Sequence, residues 1–294
     1  MTVSFSFGRR TARLLSMGLA AGLAFGLTST AALANTGNNA LPDCYQFAQI
    51  KRQTPASVQT ELFVVIDQTT PFNSELRQSL AQQIGPLLSP GNALSVFAFS
   101  AYTQGYYTRR LLHARMDAPM SADARDDAGK ALLQKFDQCL VFQKQGIHKL
   151  TQEALVKILS QASSSIAKSD VLGSLKDIST QVQASPAQRK IVLLASDMLE
   201  NSSVSSFYSS KAVRKIDVAT EWKKVESNQL TADFGGAQIY VLGAGLIDSD
   251  TQKNGVYRDP QTMNALRAFW EQYFTASHAK LAGFGTPDLL GKIQ

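Results

Sequence analysis

Short unbroken apolar runs alternate along the chain with longer stretches in which apolar residues recur every three or four positions. The first run, Leu62 to Ile66, has no polar alternation and reads as a strand buried on both faces. It stops at Asp67, and Phe72, Leu76, Leu80, Ile84 and Leu87 follow at helical spacing until Pro90-Gly91 closes the connection. Leu94 to Phe99 predicts a second strand and Tyr106 to Met116 a third, with Gln104-Gly105 between them as in a hairpin. Residues 117–130 are charged and loop-like, within an irregular insertion expected at about 117–147. Thr151 is expected to cap a helix carrying Ala154, Leu155, Ile158, Leu159 and Ala162, and a polar break precedes a helix with Val171, Leu175, Ile178 and Val182. Lys190 to Ala195 reads as a buried strand ending in Ser196-Asp197. A mixed-charge helix at about Val213–Val225, a strand at Ala237–Gly243 and a helix at about Thr262–Ala276 complete the pattern. The last helix stacks Met263, Leu266, Phe269, Trp270, Tyr273 and Phe274, a core face with docking as the alternative. Strands alternating with helices of this length predict an α/β fold, a doubly wound, mostly parallel sheet with helices on both faces.

The beginning of the chain follows different rules. Arg9, Arg10 and Arg13 precede an apolar stretch from Leu14 to about Leu33, and Ala32-Leu33-Ala34 is a small-x-small cleavage pattern. Residues 1–34 therefore read as a signal peptide, with the mature chain starting at Asn35 in the periplasm or outside the cell. An uncleaved anchor is the competing reading, but Gly18, Gly22, Gly26, Thr28, Ser29 and Thr30 dilute its hydrophobicity. No later run approaches the roughly 20 apolar residues a membrane helix needs. Residues 35–58 are polar and punctuated by Pro55, an arm that docks, and residues 59–294 are expected to form one domain.

Charge and cysteine content narrow the picture further. The chain carries +6, of which the signal arginines supply three units, leaving +3, too mild an excess for a nucleic-acid footprint. The two cysteines, Cys44 and Cys139, both survive signal removal, so a disulfide between them is expected in an oxidising compartment, with a pair of separate buried thiols as the alternative.

Three segments share one grammar, a hydroxyl or carboxylate just beyond a strand or at a helix start: Asp67-x-Thr69, Ser169-Asp170 and Ser196-Asp197. The C-terminal ends of parallel strands are where open α/β sheets place binding sites. Carboxylates and hydroxyls are hard oxygen ligands of the kind Mg²⁺ takes. In this grammar the chain resembles a von Willebrand factor A domain over roughly residues 59–278. That family's metal-ion-dependent adhesion site has D-x-S/T-x-S after the first strand, a threonine opening a later helix, and an aspartate after the fourth strand. The resemblance implies Asp67, Thr69, Ser169 and Asp197 as ligands of Mg²⁺ or Mn²⁺, whose open position is completed by an Asp or Glu carboxylate of a protein partner. The chain departs from the pattern at Pro71, which has no side-chain oxygen where the family has a serine, so water is expected there. It departs again at Met198, which replaces a glycine and implies a different turn, and in an indistinct final strand within residues 279–285.

The same residues also read as plain helix and turn caps. Thr70-Pro71 fits an N-cap and first helical position, Ser169-Asp170 caps the next helix, and Ser196-Asp197 caps a turn. His113, His148 and His278 occupy unlike contexts, and no H-E-x-x-H, G-x-S-x-G or phosphate-binding loop is present, which argues against the common hydrolases and nucleotidases. Gly243-Ala-Gly245 lacks the third glycine of a dinucleotide fingerprint and is expected to end its strand. Arg109, Arg110, His113 and Arg115 read as a solvated or edge-protecting strip, with an anion site as the alternative. The leading function is an exported, metal-dependent protein-binding module rather than an enzyme. The alternatives are a metal-free scaffold in an envelope assembly and a metal-assisted hydrolase using Asp67 and Asp197.

Overall fold

A computed structural model of the chain describes residues 39–53, 57–100, 108–163, 169–209, 212–247 and 259–294. The expected signal segment and the hairpin at Gln104-Gly105 lie outside the described residues. Six strands form one sheet: β1 (Thr60–Asp67), β2 (Ala93–Phe99), β3 (Thr108–Arg115), β4 (Arg189–Ala195), β7 (Gln238–Leu242) and β8 (Lys280–Phe284). The remaining two strands, β5 (Tyr208–Ser209) and β6 (Ala212–Val213), make a separate antiparallel ribbon. The sheet order is β3-β2-β1-β4-β7-β8, and every neighbouring pair is parallel except β2–β3. With the ribbon set aside, this is the doubly wound order 3-2-1-4-5-6, in which chain direction across the sheet reverses between β1 and β4.

Side-chain alternation along the strands builds two cores, one on each face. Phe63 and Val65 of β1, with Phe97, Phe99, Val192, Leu194, Ile239 and Val241, pack under α5 (Val171–Ala184), α6 (Val218–Ser227) and α7 (Pro260–Ala276). Leu62, Val64 and Ile66, with Leu94, Val96, Ile191 and Leu193, pack under α2 (Ser74–Ile84) and the second half of α4 (Lys130–Leu159). Strands covered on both faces need apolar residues at every position, which is why β1 and β4 read as unbroken runs. The aromatic face of α7 is core: Phe269, Trp270, Tyr273 and Phe274 are each no more than 1% exposed.

Several local expectations change. The stretch 117–147 is mostly helical, with a short α3 (Ala122–Asp126) followed by α4, whose 30 residues span about 45 Å. Thr151 is therefore interior to α4 rather than its cap, and its hydroxyl donates to the Ile147 carbonyl at 2.6 Å. Charged positions between Phe136, Cys139, Gln143 and Ile147 hid a one-sided buried stripe that the loop-like flank at 117–130 obscured. The mixed-charge helix starts later than expected, at Val218 with Asp217 as its N-cap, because Val213 belongs to β6. The indistinct last strand is β8, which among the described residues pairs only with β7 and is half-exposed, so its apolar run is weak. Helix α2 is capped by Asn73, whose side chain accepts from Leu76 N, so Thr70-Pro71 is not its start.

The arm is held in four ways. Asp43 caps α1 (Cys44–Ala48), and Cys44 is disulfide-bonded to Cys139 of α4. Cys44, Ala48, Met120, Phe136 and Cys139 form a small core of their own around this link. Asp117, 4% exposed, accepts from Cys44 N, Arg52 and Gln143, tying arm, β3 end and α4 together. Asn39 also exchanges hydrogen bonds with the backbone of Arg115, and Ala40 N donates to His113 O, so the arm covers part of the β3 edge. Gly146 lies where the arm crosses α4: a Cβ there would meet Leu41 Cδ2 at 2.9 Å. Among the described residues no helix is long and apolar enough to cross a membrane.

Candidate metal centre

Asp67 is the last residue of β1 and is fully buried. Its Oδ1 accepts from Thr69 N at 2.9 Å and Thr69 Oγ1 at 2.6 Å, a turn that brings the hydroxyl back over the strand end. Its Oδ2 accepts from Ser196 Oγ at 2.8 Å and Ser169 Oγ at 3.3 Å. One carboxylate thus gathers hydroxyls from three separate segments: the β1–α2 turn, the residue before the α5 cap, and the end of β4. Asp170 caps α5 through Gly173 N at 2.9 Å, leaving the Ser169 hydroxyl free to face Asp67.

Asp197, 3% exposed, occupies the adjoining strand end. Its Oδ1 accepts from Leu199 N at 2.8 Å and its Oδ2 from the Tyr208 hydroxyl at 2.5 Å, while its own amide donates to Thr70 Oγ1 at 3.4 Å. Ser196 Oγ also accepts from Met198 N at 2.9 Å, so Ser196 and Asp197 do cap the turn after β4 as well as facing the centre. Met198 sits at φ 59°, in the left-handed region that favours glycine. The surroundings hold it there: Met198 is fully buried, and its carbonyl accepts from Trp270 Nε1 at 2.9 Å. Gly243, beside the turn at the end of β7, has φ +106°, and a Cβ there would meet Phe72 at 2.8 Å and Ser196 O at 3.0 Å. Gly243 therefore ends its strand as expected, and the close approach of Phe72 and the Ser196 carbonyl leaves no room for a side chain there.

The electrostatics follow from burial. Desolvation raises the Asp67 carboxyl above its ordinary range, against the hydroxyl and amide donors that favour its charged form. Burial first, and then the charge of Asp67, push Asp197 up to about 7. Tyr208 is raised from its ordinary value by burial and next by Asp197, so it stays protonated and donates. Glu200, two residues past the β4 turn, is raised to about 8 mainly by burial; it accepts from Leu172 N at the start of α5 at 2.9 Å. Among the described residues no lysine, arginine or histidine forms an ion pair with Asp67 or Asp197.

The structure brings all four expected ligands to one rim. Asp67, Thr69 and Ser169 are joined directly, and Asp197 is joined through Thr70 and its neighbour Ser196. Pro71 is exposed, and the buried hydroxyl of that turn belongs to Thr70 instead. Ser196 and Thr70 were visible in the sequence, one as the neighbour of Asp197 and the other as a cap. Tyr208 carried no signal, since it reaches Asp197 from beyond an irregular loop. No group of three or more histidine, cysteine or acidic side chains is placed to hold a metal among the described residues. Two carboxylates with hydroxyls around them nevertheless fit Mg²⁺, which commonly takes one or two carboxylates and keeps several waters. The all-oxygen donor set suits a hard divalent cation.

The basic strip of β3 has a different use. His113 Nδ1 lies 2.9 Å from Ser95 Oγ, which donates to the buried Glu61 at 2.8 Å, so His113 belongs to a polar contact on the sheet rather than to this centre.

A comparison with protein-family models finds no match, and neither does one with curated protein sequences. Among solved structures, the chain is similar to an aerotolerance-related membrane protein from Bacteroides fragilis NCTC 9343 carrying multiple mutations to serines. That likeness has 12% identity over 75% of this chain and 89% of the other, with a TM-score of 0.31. It is also similar to the pilus adhesin SpaC from Lactobacillus rhamnosus GG, with 13% identity over 77% of this chain and 30% of the other, and a TM-score of 0.35. Both likenesses are faint; the α/β architecture rests on the strand order and two-faced core of the chain itself.

Proposed function

We propose that the chain is an exported protein-binding module. A divalent cation, Mg²⁺ or Mn²⁺, is held at the C-terminal rim of the sheet by Asp67, Thr69, Ser169 and Asp197, and an Asp or Glu carboxylate of a partner protein completes its coordination. The observation that carries this reading is the pair of buried carboxylates at adjacent strand ends, neither ion-paired with a described cationic side chain. Two such groups cannot both ionise in a dry site without a compensating charge. A bound cation supplies that charge and, with a position left open, attracts a partner's carboxylate. The charged N-terminus with its apolar stretch supports export, as does the Cys44–Cys139 bond, which belongs in an oxidising compartment.

A metal-free scaffold is the second reading. Its support is the complete set of hydroxyl donors to Asp67, which already occupies both carboxylate oxygens. Calorimetric titration of Mg²⁺ and Mn²⁺ into the purified chain separates the two. The module reading expects one weak site, lost in Asp67→Ala with the fold retained by circular dichroism. Absence of heat for both ions, with no shift in melting temperature, leaves the scaffold.

A further inference from the structure

The segment that follows the centre in sequence, residues 199–209, is held at several points. Ser169 and Asn201 exchange two backbone hydrogen bonds across it, N to O at 3.1 Å one way and 2.8 Å the other, so this strap holds one of the candidate ligands in place. Its underside is nailed down by Phe207, fully buried and edge-on to Phe269 with centroids 5.1 Å apart. Its flank is latched by Glu221, which is 3% exposed and accepts from Ser205, from Arg214 at 2.6 Å and from Lys224 at 3.1 Å. Arg214 in turn donates to the carbonyl of Ser206. Against that fixed background, Tyr208 is half-buried and reaches inward by one hydroxyl, to Asp197 Oδ2.

We propose that Tyr208 is the gate of the centre: its hydroxyl and the cation compete for Asp197 Oδ2, and the ring swings off the carboxylate when the cation binds. The inference rests on the metal-site reading above and adds a residue that neither the motif nor the family resemblance names. Three observations carry it. Each oxygen of Asp197 accepts from this one segment, Leu199 N on Oδ1 and Tyr208 on Oδ2, so a cation approaching Oδ2 meets the Tyr208 hydroxyl there. The Leu199 contact is a backbone bond in the tight turn and is fixed, whereas the Tyr208 contact is a side chain at the partly exposed rim. The strap itself has no need to lift, because Phe207 and the Glu221 latch hold the backbone while the neighbouring ring turns about its own side-chain torsions. A phenol hydrogen-bonded to a buried carboxylate also stabilises the negative charge of Asp197 when no cation is present, which is what a gate must do in its closed position.

The test titrates Mn²⁺ into the full chain and into Tyr208→Phe by calorimetry, with Asp67→Ala as the reference for a lost site. Phenylalanine keeps the ring and removes only the competing hydroxyl, so Mn²⁺ is expected to bind about tenfold tighter, the scale of one charge-assisted hydrogen bond partly offset by relaxation. The cation-free melting temperature of Tyr208→Phe should fall at the same time, since Asp197 loses a donor. A merely structural tyrosine would lower both stability and affinity. In the wild-type chain, Mg²⁺ should also produce a tyrosine ultraviolet difference spectrum that Tyr208→Phe lacks. Binding in the wild type with equal or weaker affinity in Tyr208→Phe overturns the gate and leaves the metal site standing. No binding to either chain, matching Asp67→Ala, overturns the metal site and the gate together.

Discussion

Raising the pH of the cation-free protein from about 4.5 to 7.5 should weaken its fold, a direction opposite to ordinary acid denaturation. The cause is Asp197, whose folded value of about 7 stands above the ordinary 3.8 because the side chain is buried beside Asp67. A carboxyl with a raised folded value binds its proton more tightly in the native state, so its stabilisation is complete below about 4 and is lost as pH climbs through 7. At about 1.4 kcal/mol per pH unit, this one group loses about 4 kcal/mol in all, about 3 kcal/mol of it between pH 4.5 and 7.5. Asp67 and Glu200, both raised chiefly by burial, act in the same direction.

Other groups act elsewhere or with the opposite sign. Asp137, Asp217, Asp233 and Asp259 are held below their usual values by hydrogen bonds from Arg125, Thr220, Gly235 and Thr262, so their contributions are lost only as pH falls below about 4. His113 is lowered by burial, so its contribution is present above its unfolded value of 6.5 and is lost as pH falls. The comparison that isolates the centre is therefore between variants. Urea unfolding in EDTA at several pH values should show wild type losing about 3 kcal/mol relative to Asp197→Asn between pH 4.5 and 7.5. Saturating Mg²⁺ should flatten the wild-type profile by stabilising the charged pair. A wild-type to Asp197→Asn difference that does not change with pH would refute the reasoning.

Three further outcomes are expected. Replacing both Cys44 and Cys139 with serine opens a link that spans 95 positions, with an entropic ceiling of about 4.7 kcal/mol, and limited proteolysis should then cut the arm first while the sheet signal in circular dichroism persists; an arm as resistant as wild type would show that Asp117 and the Asn39 contacts suffice. Met198→Gly relieves about 1 kcal/mol of left-handed strain but removes a fully buried side chain worth about 2–3 kcal/mol, so chemical denaturation should show net destabilisation, and a gain would mean the strain is the larger effect. Pro71→Ser should leave Mn²⁺ affinity within about twofold, because position 71 is exposed and Thr70 supplies the buried hydroxyl there; a tightening of fivefold or more would place residue 71 at the ion.

The sheet was legible because its central strands must be apolar on both faces, and no other element produces runs such as Leu62–Ile66 and Lys190–Ala195 flanked by helical spacing. The edge strand β8 was faint for the matching reason: it has one neighbour among the described residues and little to bury. Helix α4 was missed in its first half because that half packs on α1 and a disulfide rather than on the sheet, so Gln143 and Cys139 stand where a core helix would show leucine. The shared placement of the four candidate ligands was legible because each lies at, or within two residues of, a strand end or a helix start. Thr70 was misassigned because hydroxyl-proline pairs resemble helix starts, while Asn73 makes the actual cap. Tyr208 was invisible because its contact with Asp197 depends on the path of an irregular loop, which no periodicity encodes.

The central claim is that Asp67 and Asp197 share one divalent cation, and the most direct measurement is crystallographic. Crystals grown or soaked in Mn²⁺ would be examined for anomalous scattering at the C-terminal rim of the sheet. A single peak at ligand distance from the Asp67 carboxylate, about 2.0–2.3 Å, with Thr69 and Ser169 turned toward it and Asp197 reached directly or through water, is the expected result. A rim without an anomalous peak, in which Ser196 and Thr69 donate to Asp67 and Tyr208 donates to Asp197, would contradict the claim.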